Sequence, residues 1–442
     1  MKRWMLLLLL LWLPCAAAAQ EFYEEMPELL RMSQRTVSEE PEKKVTLKRT
    51  YPATSCPAVD EAMAALVDEL AARGMEAVRA EGTPRPVTVD AGALISRTGT
   101  RWMSFLTLCE WFTQEAYLGV QAGARVYDMG TGERVTLCDV FAPDSEGWAV
   151  LAQAVREQLT AAFPGEEPDA QALDALCARE ALEAAEFTLG AARMVLTYRA
   201  DAVYPGKQTL LHVVLYYPEI RPLMTAAAQE QTDNSRYRMM ALTYDDGCTG
   251  SSTVRLLETL RSCGAQATFF IVGRQMERHP RTLCRQQNGG YSLQSHGFTH
   301  DYQLPAEQMR ADRERFAQTM GALIGVTPTL MRAPGGMEAR YVQCEIGYPL
   351  LHWSLSGGDS GGARAKSVSE RVIYKAGDGE VVLMHDLNSE CDRYTRTIVE
   401  TLSEKGYLFV TVEELFADAG VALEPNHVYY SPAREMTAEE MR

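Results

Sequence analysis

The stretch MMALTYDDG, residues 239–247, decides how the C-terminal half of this chain is interpreted. Its apolar half predicts a buried strand, and Gly247 marks the point where that strand breaks into a loop. Successive side chains on a strand point to opposite faces, so Asp245 and Asp246 can turn toward one site only where the strand ends. Because Asp-Asp-Gly after a strand is most often just a turn, the downstream sequence has to decide between the two interpretations.

The sequence after Gly247 alternates between helical and strand patterns. An amphipathic helix is predicted up to Cys263, and the short apolar run at residues 267–272 is the next strand, which makes a parallel βαβ unit. Further strands are predicted at residues 291–293, 329–331, 350–353, 381–384 and 408–412, with helices at 305–324 and 394–405. This pattern predicts an α/β fold, either a (β/α) barrel or a doubly wound sheet, with its active site at the C-terminal ends of the strands.

Polar side chains occur where these predicted strands end. His296 and His300, spaced i, i+4, can reach one metal ion, and a carboxylate adds a third ligand while a position stays open for water. An isolated His-x3-His pattern has a high false-positive rate. The other strand ends carry Arg332, Asp359 and His385, and this accumulation makes a metal site the favoured interpretation.

Residues 239–415 resemble the polysaccharide deacetylases, the nodulation-type carbohydrate esterase family. Five motifs of that family occur in order, and the segments 267–270 and 404–412 match it as well. The motifs are Thr243-Tyr244-Asp245-Asp246-Gly247, His296-Gly297-Phe298-Thr299-His300, Arg332-Ala333-Pro334-Gly335, Asp359-Ser360 and Leu383-Met384-His385. The resemblance implies a distorted (β/α) barrel that hydrolyses acetyl groups on a glycan.

The resemblance also implies which residues bind metal and move protons. Asp246, His296 and His300 would hold zinc or a similar divalent ion. Asp245 would be the general base, and His385 the general acid that protonates the leaving amine. A metal that polarises the acetamide carbonyl beside such a carboxylate agrees with the chemistry of amide hydrolysis.

Further motif residues would position the reacting groups or contact the substrate. By the same resemblance, Arg332 would pair with the base and Asp359 with the acid. The Gly335 backbone N–H would help to bind the oxyanion, and Leu383 would contact the acetyl methyl. Trp353 is a candidate for aromatic surface in the groove, with a buried strand tryptophan as the alternative.

Four positions depart from the family pattern. Cys248 stands in place of Pro, Gly297 in place of Ser or Thr, Gly335 in place of an aromatic residue that walls the groove, and Ser360 in place of a Trp beside the acetyl pocket. None of the four is a proposed ligand or proton-transfer group. They bear on substrate fit more than on the chemistry.

Charge and the first residues limit the partners and the compartment. The 442 residues carry a formal net charge of -16 and no cluster of Lys and Arg, which disfavours nucleic acid as a partner. Residues 1–19 predict an export signal cleaved near Ala19, so that the protein would be extracellular or attached to a bacterial cell surface. Lipidation at Cys15 and an uncleaved membrane anchor are the alternatives to cleavage.

The remaining sequence predicts two domains with connecting segments. Residues 20–43 are predicted to be a flexible spacer, 44–224 a smaller α+β domain, 225–237 a linker, 238–420 the deacetylase domain and 421–442 a polar tail. The order of elements in 44–224 resembles the extracytoplasmic domain of bacterial anti-sigma factors of the lysozyme-responsive type. That resemblance implies binding of a wall-related ligand or protein, and His212 is predicted to be structural.

Nine cysteines would remain after removal of the signal, and they show no Cys-x-x-Cys spacing. Buried free thiols are the simplest interpretation. Because Cys248 and Cys391 each follow a predicted catalytic strand, a disulfide between them is a further hypothesis.

The leading functional hypothesis is an exported metal-dependent deacetylase of N-acetylated glycan, with peptidoglycan as the favoured substrate. Chitin-like oligomers, other acetylated surface glycans and O-deacetylation remain open. The altered groove residues also motivate an alternative from another class, a wall-sensing or glycan-binding protein with impaired catalysis. The sequence leaves the oligomeric state open.

Overall fold

The computed structural model describes residues 23–436. The predicted export signal at residues 1–19 lies outside the described residues. Between residues 23 and 436, no helix combines the length and the apolar character that crossing a membrane requires.

The N-terminal half is built on a six-stranded sheet in which strands follow their sequence order from β1 to β6. These strands are β1 Met32–Glu42, β2 Val45–Thr54, β3 Val87–Arg97, β4 Trp102–Phe112, β5 Tyr117–Asp128 and β6 Arg134–Val135. Neighbouring strands are antiparallel except β2 and β3, which are parallel. The helix α1, Pro57–Glu81, makes this parallel crossover and buries its apolar stripe against the sheet.

A second, three-stranded antiparallel sheet and several short helices complete this half. The strands are β7 Phe187–Leu189, β8 Arg193–Arg199 and β9 Leu210–Tyr216. The helices are α2 Leu137–Val140, α3 Gly147–Ala161, α4 Ala170–Cys177, α5 Arg179–Glu183, α6 Tyr217–Ile220 and α7 Ala226–Gln231. The predicted α+β fold class of this smaller N-terminal part is confirmed.

The C-terminal half is a curled parallel sheet surrounded by helices. Its strands are β10 Arg238–Asp245, β11 Thr268–Ile271, β12 Ser292–Ser295, β13 Leu350–Leu351, β14 Leu355–Ser356, β15 Glu380–His385 and β16 Tyr407–Val410, followed by β17 Val428–Ser431 and β18 Arg434–Glu435. The helices are α8 Ser252–Cys263, α9 Gly273–Arg278, α10 Pro280–Asn288, α11 Ala306–Ile324, α12 Glu338–Gln343, α13 Ala365–Lys375, α14 Cys391–Ser403 and α15 Val412–Asp418.

Strand β10 lies at the centre of this sheet and pairs with β15 on one side. On its other side it pairs with β11 along its C-terminal half and with β16 along its N-terminal half. Single-residue parallel bridges at Met331 continue the sheet from β12 to β13, and the chain then passes directly to β14 beside β15. The sheet thereby closes into the predicted distorted (β/α) barrel, which places the ends of β10, β12 and β15 around one opening.

The two halves share a buried contact that is partly apolar and partly ionic. Leu94, Leu106 and Leu108 of the first sheet pack in the same cluster as barrel helices α8 and α10. Within this contact, the buried Arg285 of α10 donates to Asp90 at 3.0 Å and to Glu110 at 3.2 Å. Charges removed from water need such partners, so the two halves compensate each other's buried charges across this contact.

His212 lies in the same contact, as the prediction of a structural role requires. Its Nε2 atom is 2.9 Å from the Gln287 carbonyl oxygen, and its Nδ1 atom is 3.1 Å from the Thr197 hydroxyl. Burial lowers the pKa of His212 to about 4. The neutral His212 imidazole, with both nitrogens in hydrogen-bond contact, therefore has a structural role.

Three segments that the sequence predicted to be polar or flexible are ordered. The predicted spacer contains β1, which pairs antiparallel with β2. The predicted linker contains α7, whose Gln231 side chain accepts hydrogen bonds from Thr100 and from the Arg101 backbone. The predicted tail contains β17, which pairs parallel with β13 and buries Tyr429. In each case a tertiary partner satisfies polar groups that sequence reasoning assigned to solvent.

The hypothesised Cys248–Cys391 disulfide is wrong, because all nine cysteines of residues 23–436 are free thiols. The Cys248 sulfur lies 3.7 Å from the Gln275 carbonyl oxygen, whereas the Cys391 sulfur lies 3.7 Å from the Ser252 carbonyl oxygen. Each thiol thus packs against a different segment, and burial raises the pKa of both.

Candidate active site

The end of β10 turns both aspartates toward one point. Asp246 has a φ of 78°, in the left-handed region where the strand direction is lost. The Nε2 atom of His296 lies 3.8 Å from an Asp245 oxygen and 3.6 Å from an Asp246 oxygen. The two carboxylates therefore face the same site, as the sequence predicted for a strand that ends here.

Gly247 is needed at the next position because a buried carboxylate approaches it. A Cβ atom at this residue would lie 2.0 Å from an oxygen of Asp386, and that oxygen accepts a hydrogen bond from Thr253 at 2.6 Å. Burial and the nearby aspartate charges raise the pKa of Asp386 to about 7. The sequence placed Asp386 beside His385 at the end of a predicted strand but gave it no role, since a carboxylate in that position carries no signal of burial.

Asp246, His296 and His300 form the group that could hold a metal ion in the described part of the chain. One ligand atom from each lies within 4.8 Å of the others, and the Nε2 atom of His300 is 3.1 Å from an Asp246 oxygen. The Nδ1 atom of His296 lies 2.9 Å from the carbonyl oxygen of Arg332. An N–H donated to that carbonyl leaves Nε2 as the free lone pair, which is the arrangement that metal-binding histidines use.

The protonation states of these groups also suit a cation. Burial alone would raise the pKa of Asp246, but the hydrogen bond from His300 and the charges of His296 and His300 lower it below its usual value. Burial lowers the pKa of His296. One carboxylate and two imidazole nitrogens are donors that a divalent ion such as zinc accepts, so the residues present fit a metal.

Arg332 is fully buried and positions Asp245. Its Nη1 donates to Asp245 Oδ1 at 2.8 Å and to the Thr243 hydroxyl at 2.8 Å. Its Nε donates to the Leu351 carbonyl at 3.1 Å, and its Nη2 donates to the His352 carbonyl at 2.9 Å. The guanidinium thereby links the ends of β10 and β13 and compensates the charge of a carboxylate that is only 3 % exposed.

His385 at the end of β15 is paired with Asp359. The strand register places His385 directly beside Asp245, and the Nδ1 atom of His385 lies 2.9 Å from Asp359 Oδ1. The other Asp359 oxygen accepts from the His385 backbone N–H at 2.7 Å and from the Tyr394 hydroxyl at 2.7 Å. Burial opposes the charged imidazole, but the hydrogen bond and charge of Asp359 raise the pKa of His385 to about 9. Sequence reasoning missed Tyr394, which lies on α14 with no motif to mark it.

Asp359→Asn is expected to lower the pKa of His385 from about 9 toward the ordinary value of about 6.5. The pKa of His385 is higher in the folded protein than in the unfolded chain. The His385–Asp359 pair therefore contributes its full stabilisation at pH values below the pKa of His385 in the unfolded chain. This contribution is lost as the pH rises through the pKa of His385 in the folded protein. NMR titration of the imidazole measures the shift. Tyr394→Phe, which leaves Asp359 charged, should move the midpoint less, and an unchanged midpoint in Asp359→Asn would contradict the pairing.

A carboxylate from α11 organises the histidine loop. Asp312 accepts hydrogen bonds from the Phe298 and Thr299 backbone N–H groups at 2.6 and 3.1 Å and from the Thr299 hydroxyl at 2.9 Å. Gly297, which replaces Ser or Thr of the family motif, has a φ of 74°. Asp312 therefore holds the segment between the two histidines, and sequence reasoning missed it because it lies on a separate helix.

Asp312→Ala is expected to weaken divalent-metal affinity about 10- to 100-fold, as removal of groups that orient metal ligands does. Titration of the metal-free protein against a chelating dye measures the affinity. Glu314→Ala, at an exposed position of the same helix, is the matched control and should bind as the wild type does. Equal affinities for both variants would show that the loop does not need this carboxylate.

The predicted substrate-contact residues lie around the same opening. Leu383 is two positions before His385 on β15, so both side chains are on one face of the strand. Gly335 has a φ of 68° in a turn after Ala333. The Trp353 ring is half-buried and stacks on His352 at a centroid distance of 3.7 Å. A Cβ atom at Gly336 would lie 3.3 Å from Trp353, so this ring borders the turn that carries Gly335.

The fold and this constellation are similar to those of the polysaccharide deacetylases. Residues 232–348 match the family model described as polysaccharide deacetylase.

Proteins with related sequences carry the same class name. Peptidoglycan-N-acetylglucosamine deacetylase PgdA of Listeria monocytogenes is 33% identical over 184 residues, which are 41% of this chain and 39% of that protein. Peptidoglycan-N-acetylmuramic acid deacetylase PdaC of Bacillus subtilis is 27% identical over 189 residues, 42% of this chain and 40% of that protein. This chain thus covers about two fifths of the length of these curated relatives.

A solved structure is similar to part of this chain. The Xyl-CE4 domain of a multidomain xylanase from the hindgut metagenome of Trinervitermes trinervoides is 29% identical, with a TM-score of 0.42. The match covers 45% of this chain and 98% of that one.

Proposed function

We propose that this protein is an exported, metal-dependent deacetylase that hydrolyses the acetamide groups of N-acetylated glycan, with peptidoglycan amino sugars as the favoured substrate. The observation that carries the proposal is the juxtaposition of Asp245 and His385 on paired strands, beside the group Asp246, His296 and His300. Two proton-transfer groups next to a cation site are what amide hydrolysis requires. The names of the curated relatives support peptidoglycan as the polymer.

Asp246, His296 and His300 would hold the divalent ion, for which zinc is favoured by the donor set. When bound, such an ion polarises the acetyl carbonyl and lowers the pKa of water. The hydrogen bond from His296 to the Arg332 carbonyl and the contacts of Asp312 with the loop keep these side chains in place.

The residues of this chain would then divide the proton transfers. Asp245, held by Arg332, takes a proton from the water that attacks the acetyl carbon. His385, kept protonated by Asp359, gives a proton to the nitrogen of the leaving amine. The Gly335 N–H would donate to the developing oxyanion, and Leu383 would contact the methyl group. General acid and base catalysis of this kind contributes about 100- to 10,000-fold to a rate.

Export is supported by residues 1–19, whose basic start, leucine-rich run and small residues are typical of a secretory signal. The protein would accordingly act at the bacterial surface or outside the cell. The N-terminal α+β domain would bind a wall-related ligand, and its buried contact with α10 would keep that ligand in a constant position relative to the barrel.

Mass spectrometry of muropeptides incubated with the metal-loaded protein tests the proposal. Loss of acetyl mass from the amino sugars is expected, and it should disappear after chelation and return when metal is restored. Model substrates that carry either an N-acetyl or an O-acetyl group distinguish amide from ester hydrolysis. A protein that binds no metal and forms no product, yet retains glycan, would instead support the alternative of a glycan-binding protein with impaired catalysis.

A further inference from the structure

Three of the five large hydrophobic side chains with high exposure in the described residues lie on segments that directly follow proposed site residues. Large hydrophobic residues with high exposure in the described chain are Tyr302 at 50%, Leu323 at 38%, Met337 at 39%, Tyr374 at 89% and Leu387 at 47%. Tyr302 follows the metal-site histidines, Met337 follows the turn that carries Gly335, and Leu387 follows His385. Apolar groups left exposed beside polar reactive ones are typical of a binding surface.

Tyr302 occupies the space that a side chain at Gly335 would need. A Cβ atom at Gly335 would lie 2.7 Å from the Tyr302 ring, and the φ of 68° disfavours any other residue there. The same ring meets the His300 ring edge-on at a centroid distance of 5.0 Å. The glycine that removes an aromatic wall from the third motif therefore makes room for an aromatic ring supplied by the histidine loop.

Hydrogen bonds hold the backbone of Tyr302 in place. Arg340 of α12 donates from Nη1 to the Tyr302 carbonyl at 2.6 Å and from Nη2 to the Leu304 carbonyl at 3.0 Å. The Asp301 carboxylate accepts from the Gln303 backbone N–H at 2.8 Å. A half-exposed ring on a braced loop loses little freedom when a ligand covers it, which favours binding.

We propose that Tyr302 is a specificity-determining residue that stacks on the apolar face of a sugar ring in the glycan chain, next to the sugar whose acetyl group is hydrolysed. The inference rests on the proposed deacetylase function and adds the requirement for a second sugar ring. An aromatic ring with an apolar body and a polar tip is suited to a surface that is wet before binding and covered afterwards.

Kinetics of Tyr302→Ala and Tyr302→Phe on two substrates test this role. One substrate is a β-1,4-linked tetramer of N-acetylglucosamine, and the other is a small aryl acetate, which offers no neighbouring sugar. Tyr302→Ala should lower kcat/KM on the tetramer about 10-fold, chiefly through KM, with a smaller loss on the aryl acetate. Tyr302→Phe should stay close to wild type. Equal losses on both substrates, or Phe behaving as Ala does, would overturn the stacking role in favour of support for His300.

A matched control and a binding measurement separate this inference from the proposed activity. Tyr374→Ala removes an even more exposed tyrosine from the end of α13 that leads toward the start of β15, and it should not change the tetramer kinetics. Calorimetric binding of the tetramer to Asp245→Asn protein, with and without Tyr302→Ala, needs no turnover. If Tyr302→Ala weakens tetramer binding but the wild-type protein shows no deacetylase activity, the stacking role of Tyr302 stands and the proposed activity is rejected. If Tyr302→Ala leaves tetramer binding unchanged, the stacking role of Tyr302 is rejected.

Discussion

Asp245→Asn is expected to lower kcat on acetylated glycan about 1,000-fold, within the range that a general base contributes. Asn keeps the size of the side chain and can still accept from Arg332, but it cannot take a proton. Acetate release measures the effect. The metal content should stay at the wild-type level because Asp246, His296 and His300 are unchanged.

The same substitution leaves the buried Arg332 without a charge partner. Loss of one member of a buried pair destabilises a protein by about 3–5 kcal/mol, so thermal unfolding has to accompany the kinetics. Asp144→Asn, at an exposed position, is the matched control and should keep wild-type activity and stability. If Asp245→Asn is folded and fully active, Asp245 is not the base.

His296→Ala is expected to abolish bound metal and to lower activity about 1,000-fold, the equivalent of the several kcal/mol that a metal ion supplies. His296 is 3 % exposed, and its ring lies between Asp246 and the Arg332 carbonyl, so its removal takes away one of the three ligand atoms of this group. Metal content of the purified protein, measured by atomic emission after dialysis, is the primary readout.

His427→Ala is the control for this experiment because His427 is an exposed histidine outside the barrel opening. It should bind metal and release acetate as the wild type does. Full metal content in His296→Ala would contradict the assignment of this group as the metal site, and unchanged activity after complete removal of metal would contradict metal dependence.

The arrangement also explains why the proposed mechanism gives two carboxylates of similar chemistry different roles. Asp245 faces the fully buried guanidinium of Arg332, whereas Asp359 faces the imidazole of His385 at the end of β15. In the proposed mechanism each carboxylate thus depends on its partner: Arg332 holds Asp245 in place as the base, and Asp359 keeps His385 protonated as the acid.

Much of the barrel could be predicted because its strands are short apolar runs with polar residues at their C-terminal ends. Parallel strands bring those ends together whatever the details of the connecting helices, so the spacing in the sequence was sufficient to place Asp245, His296 and His385 near one another. The N-terminal half was predictable only as an α+β unit, and its resemblance to an anti-sigma domain stays a prediction.

Groups that act through the fold were not predictable. Tyr394, Asp312 and Tyr302 reach the site from α14, α11 and a loop, and no local pattern distinguishes them from surface residues. Local composition likewise gave wrong predictions for the segments that contain β1, α7 and β17. The two strands pair with other strands, and α7 forms a side-chain hydrogen bond with a residue far away in the sequence. The Cys248–Cys391 hypothesis failed for the same reason, since proximity in topology does not specify where two thiols point.

The sequence by itself determined the candidate reactive groups and their order along the chain, because motif spacing and strand periodicity are local properties. Only the tertiary structure decided how those groups are held. The tautomer of His296, the partner of Arg332 and the ring that lies over Gly335 depend on distances between segments that are remote in sequence. Such distances follow from packing the whole domain, in which each side chain takes the position its neighbours leave open.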